Sequence, residues 1–292
     1  MFAGVFTALV TPFKKHGIDR AAFKKLIDFN FENGVNGIVP CGTTGESPTL
    51  SHAEHHEVVA LAISYARGRG PVIAGTGSNS TAEAISLTQE AEKAGASASL
   101  QVCPYYNKPS QEGLYQHFKA IARATRLPII LYNIPARSGI EIGVETCARL
   151  ARDCKNIVAM KEAGGTPERV SQLLAACPKR FQVLSGDDSL TLPFMSSGAR
   201  GVISVASNLI PAEMSALVNA ASSGRYAEAL ALHQKYYRLF SAFLKLDTNP
   251  VPIKTALSLA GRCSGTLRLP LVAMSEQKTD ELRKTLRELA IS

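Results

Sequence analysis

Residues 98–132 read ASLQVCPYYNKPSQEGLYQHFKAIARATRLPIILY, with short apolar runs at 98–102 and 128–132 and a longer segment of different period between them. Both runs have the β-branched and aliphatic character of strands. The segment 112–125 carries helix formers with apolar residues at three- and four-residue intervals, and Ser110 stands where an N-cap is wanted. Strand, helix and strand in so short a span make a βαβ unit, whose two strands run parallel.

The same alternation extends in both directions. Strands are predicted at 5–11, 37–40, 72–74, 98–102, 128–132, 157–161, 181–184 and 201–205, each followed by glycine, serine, threonine, asparagine or proline. Helical patterns fill the gaps, for example 20–33, 53–67 and 81–94, with Asp19, Ser51, Ser80 and Asp188 as further N-cap candidates. Eight strands apolar on both faces, each followed by a helix, predict an α/β fold of the (β/α)8 TIM-barrel type rather than a doubly wound sheet. The barrel is expected to occupy residues 1–224. Residues 225–292 form a C-terminal helical extension, read from helical patterns at 226–245, 252–261 and 275–290, and no flexible linker separates it from the barrel.

Composition narrows the classes of function. The chain has 292 residues, of which 46% are hydrophobic and 19% charged, and no apolar run approaches the ~20 residues that span a bilayer, so neither disorder nor membrane insertion is expected. The first ten residues lack a basic leader and read as a strand rather than a secretory signal. Six scattered cysteines without a C-x-x-C pair suit reduced, buried thiols and a cytoplasmic setting. A net charge of +8 invites a nucleic-acid reading. The basic residues come as short pairs mixed with acids, however, with no basic helix and no nucleic-acid module. Acidic small molecules fit that charge better.

In such a barrel the chemistry sits where strands end and βα loops begin. Lys161 ends the apolar run 156–160, and desolvation there lowers an amine's pKa, freeing the neutral form that attacks a ketone. The bland alternative is a lysine that snorkels to solvent. Tyr132 ends the neighbouring strand and could move protons beside Lys161, unless it is core filler. Thr43 and Thr44 lie in a Gly-bounded turn able to bind a carboxylate, and Arg137 offers a planar donor for a second one, although a solvated loop arginine would look the same. His52, His55 and His56 share one helical face, yet their spacing is not that of a zinc helix, and no metal is implied. Gly75-Thr-Gly77 is not a dinucleotide fingerprint and no phosphate loop is present, so no cofactor is implied.

Together these residues resemble the pyruvate-dependent class I aldolases of the N-acetylneuraminate lyase superfamily, and within it the dihydrodipicolinate synthase family. The resemblance runs over nearly the whole chain, through residues 8–12, 42–46, 75–77, 104–107, 132–135, 161–162, 185–188 and 249–252. It implies a Schiff base between Lys161 and pyruvate, a proton relay of Tyr132, Thr43 and Tyr106 with Tyr106 reaching across a dimer interface, and condensation with aspartate 4-semialdehyde. Thr44 would hold the pyruvate carboxylate, Arg137 that of the semialdehyde, and Gly186 and Ile203 would line the site. The same resemblance implies an L-lysine effector cleft at Ser47, His52, His55, Asn79, Glu83 and Tyr105, with Pro48 departing from the small residue expected there, and a homotetramer built as a dimer of dimers. A sialate or keto-sugar-acid lyase and a non-catalytic lysine-binding relative are the alternatives. Arg137 speaks against the first and the intact Lys161, Tyr132, Thr43 and Tyr106 set against the second.

Overall fold

The computed structural model describes residues 2–291. Eight strands, β1 (Gly4–Ala8), β2 (Gly37–Val39), β3 (Ile73–Gly75), β4 (Ala98–Val102), β5 (Ile129–Asn133), β6 (Ile157–Glu162), β7 (Gln182–Ser185) and β8 (Gly201–Ser204), form one sheet in the order β2-β1-β8-β7-β6-β5-β4-β3. Every pairing in it is parallel. Its two ends meet: Ile38 and Val72 form an isolated bridge, Ile38 N donates to Pro71 O at 3.1 Å and Gly75 N donates to Pro40 O at 3.0 Å. The sheet is a closed barrel with no free edge.

A helix follows each strand: α1 (Arg20–Glu32), α2 (His52–Ala66), α3 (Thr81–Ala94), α4 (Gln111–Arg123), α5 (Val144–Asp153), α6 (Pro167–Ala176), α7 (Thr191–Ser196) and α8 (Pro211–Ser222). Local chemistry sets the first four starts. Asp19, Ser51, Ser80 and Ser110 each accept a hydrogen bond from a backbone N–H of the first helical turn, and Ser51 with Glu54 completes a capping box. Each cap contributes about 1 kcal/mol. Asp188 does not act as the predicted cap. Asp187 takes that place, accepting from Ser189 N at 2.8 Å, while the Asp188 carboxylate turns inward.

Period-two alternation divides the strands between two apolar layers. Phe6, Leu100, Ile130, Ala159, Leu184 and Ile203 fill the barrel interior, whereas Val5, Ile38, Leu131, Val183 and Val202 pack outward against the helices. Tyr132 continues the inward row of β5 and Lys161 that of β6. The register makes them direct neighbours across the ladder.

Three further helices, α9 (Tyr226–Lys245), α10 (Val251–Leu259) and α11 (Glu276–Glu288), cover one side of the barrel. Leu239, Phe243, Ile253, Leu257 and Leu282 of these helices share an apolar cluster with Leu9, Val202 and Leu217 of the barrel. Burial at about 25 cal/mol per Å² of apolar surface holds the two parts together. Among the described residues no helix is long and apolar enough to cross a membrane, and all six cysteines are free thiols.

Candidate active site

A cleft of about 410 Å³ opens at the C-terminal end of the barrel strands, and Lys161, Tyr132, Thr43, Thr44, Arg137 and Gly186 all line it. Lys161 is 6% exposed, and its Nζ lies 4.1 Å from the centre of the Tyr132 ring. Ala159 and Leu184 lie beneath it in the barrel interior. No carboxylate or carbonyl of the described residues hydrogen-bonds the amine. Burial pushes it down to about 8, against the pull of Asp188 and together with the repulsion of Arg137. About a tenth of such amines are neutral at pH 7, against roughly one in three thousand for an ordinary lysine. The rate of imine formation should therefore rise about tenfold per pH unit below pH 8 and flatten above it, which stopped-flow trapping of an added α-keto acid across pH 6–9 would check.

The strand carrying Lys161 is clamped from outside. Glu162, the next residue, points into the helical layer, where it accepts from Asn133 Nδ2 at 3.0 Å, from Gly164 N at 2.5 Å and from Arg169 Nε at 2.8 Å. Its carboxylate is thus fully paired without solvent, as a buried charge requires. On the cleft side Gly186 N donates to Glu162 O at 2.8 Å, and a Cβ on Gly186 would stand 2.9 Å from Ala163 Cβ and 3.1 Å from Lys161 Cε. Only glycine leaves the amine free to swing there.

Thr43 and Thr44 sit in a turn that closes on itself, with Gly45 N donating to Gly42 O at 3.0 Å, Glu46 N to Thr43 O at 3.0 Å and Ser47 N to Gly42 O at 3.3 Å. Thr11 Oγ1 fastens it to β1's continuation by donating to Gly45 O at 2.7 Å. Arg137 lies in the one-turn helix Pro135–Ser138 after β5. Its Nη2 donates to Asn249 O at 3.0 Å, leaving the other donors for an anionic ligand.

Two residues of the site escaped the sequence reading. Asn249 joins both carboxylate-binding candidates, since its Nδ2 donates to Thr44 Oγ1 at 3.0 Å while its carbonyl holds Arg137, and its buried Oδ1 has no partner among the described residues. The signal was present in the Asn249–Pro252 stretch, which carried resemblance but no role. Asp188 accepts from Val205 N at 3.0 Å and Ala206 N at 2.8 Å, so it fixes the loop after β8; burial pushes its carboxyl up to about 6, against these hydrogen bonds.

Other predicted residues lie elsewhere. Tyr106 is 91% exposed and does not line the cleft of its own chain. Ile203 is fully buried in the barrel interior below the cleft. Ser47, His52, His55, Glu83 and Tyr105 line the same cleft, whereas Asn79 does not, its Nδ2 donating to Tyr105 O at 3.1 Å. The histidine cluster divides: His52 Nε2 meets Glu83 Oε1 at 2.8 Å, His55 Nε2 meets Gly75 O at 2.7 Å, and no three metal-ligating side chains gather among the described residues. Hydrogen bonds from Ser78 and His52 hold Glu83 below its ordinary carboxylate value.

Known proteins share this chain's sequence and fold. A curated relative from Sulfurihydrogenibium sp., named 4-hydroxy-tetrahydrodipicolinate synthase, is 53% identical over 289 residues, covering 99% of this chain and 98% of the relative. Among solved structures, the pyruvate-complexed, chloride-inhibited dihydrodipicolinate synthase of Acinetobacter baumannii superposes with a TM-score of 0.97 at 43% identity, covering all of both chains. The lysine-bound enzyme of Cyanidioschyzon merolae gives 0.96 at 43% identity, covering 100% of this chain and 99% of that one. Residues 1–289 match the dihydrodipicolinate synthetase family as a whole. Sequence and barrel thus agree over the full length, and the chain belongs to the dihydrodipicolinate synthetase family.

Proposed function

We propose that this protein condenses pyruvate with L-aspartate 4-semialdehyde to 4-hydroxy-tetrahydrodipicolinate, in lysine and diaminopimelate biosynthesis. The observation that carries the reading is Lys161, a desolvated amine at the floor of a cleft with carboxylate-binding groups beside it. Its Nζ adds to the ketone carbon of pyruvate, the carbinolamine loses water, and the protonated imine loses a methyl proton to become an enamine. The enamine carbon then bonds to the aldehyde carbon. The α-amino group of the joined substrate adds to the imine carbon, Lys161 leaves as the free amine, and the ring is closed.

Tyr132 and Thr43 carry the protons, and Thr44 holds the pyruvate carboxylate with Asn249 steadying its hydroxyl. Arg137 receives the carboxylate of the semialdehyde, Gly186 gives Lys161 room, and Ile203 supports the floor. Tyr106 joins the relay from a second copy of the chain, which its exposure permits, in a homotetramer built as a dimer of dimers. L-Lysine is the effector, with Glu83 for its ammonium and Ser47, His52, His55, Asn79 and Tyr105 around it, as the lysine-bound relative suggests. In this reading the enzyme works in the cytoplasm as a barrel of residues 1–224 with a helical extension of residues 225–292.

Borohydride reduction with and without pyruvate, followed by peptide mapping, tests the reading. A pyruvate-dependent mass on Lys161, and turnover with aspartate semialdehyde in preference to sugar-acid aldehydes, is the expected result. Folded protein without an adduct would overturn it, and an adduct with turnover only of sialate or keto-sugar acids would reassign the substrate.

A further inference from the structure

A second lysine is buried near the cleft, and the Schiff-base steps do not use it. Lys254 on α10 has no solvent exposure, and its ammonium stands 2.6 Å from Glu46 Oε1, which has none either. The two residues are 208 positions apart. Lys254 Nζ also donates to Thr266 O at 2.7 Å, and Glu46 Oε2 accepts from Arg268 N at 3.1 Å. Arg268 continues the link by donating to Thr49 O at 2.9 Å and to Glu54 Oε2 at 2.8 Å. One end of this network is the helical extension and the segment after it; the other is the turn that bears Thr43 and Thr44.

Burying two charges gives little net stability over an apolar pair of the same size, so retention of the pair calls for a geometric reason. Glu46 supplies one. Its φ is +54°, in the left-handed region that a non-glycine residue keeps only when its surroundings hold it. In that conformation its N–H closes the turn on Thr43 O, and its carbonyl receives Thr49 N at 3.1 Å. The carboxylate of this same residue is the one gripped by Lys254.

We propose that the buried Glu46–Lys254 pair is a positioning device for catalysis, locking the Thr43–Thr44 turn to the helical extension so that both hydroxyl groups are presented to the substrate on Lys161. The inference rests on the Schiff-base function above. It explains why a barrel enzyme carries residues 246–270 across its catalytic turn, and why Asn249, from the same segment, meets Thr44. Lys254 is held by a carboxylate, whereas Lys161 has none within hydrogen-bond distance, which separates the structural amine from the reactive one.

The test uses full-length Glu46→Gln and Lys254→Met variants. The amide introduced by Glu46→Gln keeps an acceptor for Lys254, and that variant is expected to fold even if Lys254→Met does not. Per folded molecule, Glu46→Gln should raise KM for pyruvate and lower kcat, each roughly tenfold, because displacements near 1 Å at a site cost up to about a hundredfold. Amide exchange over residues 42–50 should accelerate while the barrel strands stay protected. A purely structural pair would lower the melting temperature and leave KM and local exchange of the folded fraction unchanged, and that result overturns the proposal. If the parent enzyme itself forms no borohydride adduct with pyruvate, the functional reading fails instead, and the exchange measurement still decides whether the pair orders the turn.

Discussion

Replacing Lys161 with methionine should abolish turnover, lowering kcat/KM by about 10⁴-fold or more, while leaving the fold at least as stable as the parent. The first effect follows from chemistry, since among the described residues no other amine lines the cleft. The second follows from burial. Lys161 is held near 8 by desolvation against 10.5 for a free lysine, so between those values the unfolded chain binds more protons than the folded one. Stability therefore rises with pH from about 8 to 10.5, and below 8 the full penalty, about 3 kcal/mol, is present. Methionine has similar length and no charge to desolvate. Initial rates, intact mass after borohydride and thermal melts at pH 7 check both halves together. A variant that retained more than about 1% of activity, or that was trapped on Lys254, would show that Lys161 is not the nucleophile.

The opposed effects expected at Lys161 illustrate why barrel and site were unequally legible in the sequence. Strands announce themselves through apolar runs, and all eight were found because both faces of a parallel barrel are buried. Their ends were less visible. The run 5–11 reads as one strand, but the ladder stops at Ala8; Leu9 keeps a single bond to Val39 O, and Val10 N is taken by the Asn208 side chain. The hairpin of Phe13–Lys14 and Gly17–Ile18 is too short to leave a pattern. The closing seam rests on one bridge and the hydrogen bond from Gly75 N to Pro40 O, which no local signal marks.

At the site, side chains that a strand end or the loop after it carries to the cleft are legible in the sequence, and those placed by a distant partner are not. Lys161, Tyr132 and Arg137 each carry chemistry that their position exposes. Asp188 was read by a local capping rule, yet its partners are Val205 and Ala206 on the next strand's loop. Asn249 and Lys254 gain meaning only from Thr44 and Glu46, more than two hundred residues away. Tyr106 presents the converse case: family resemblance implies a role for it, while a single chain leaves it in solvent, so the proposed relay role would require assembly.

Removing only the hydroxyl of Tyr132 is the second change with a large expected effect. In Tyr132→Phe the ring stays under the Lys161 ammonium, and the packing with Ile130 and Leu184 is kept. The phenol makes no hydrogen bond to the described residues, so its loss orphans no partner, and stability should change by less than about 1 kcal/mol. Truncation to alanine, by contrast, would open a cavity costing about 3–5 kcal/mol. Turnover should nevertheless fall by about 10²–10³-fold, the usual contribution of a positioned proton carrier. Burial holds the phenol well above its ordinary value, opposed by Arg137, so in the proposed relay it would act as a neutral hydroxyl that takes a proton on one side and gives one on the other. That role needs a second carrier, which the proposed relay assigns to Thr43 in the same cleft. The adduct on Lys161 should still form with pyruvate, more slowly, with KM nearly unchanged, because the proposed function assigns the carboxylate to Thr44 rather than to Tyr132. Pre-steady-state trapping separates the two: slow imine formation with normal pyruvate affinity supports proton transfer through Tyr132. A kcat within about threefold of the parent would assign that transfer to water at Thr43 instead.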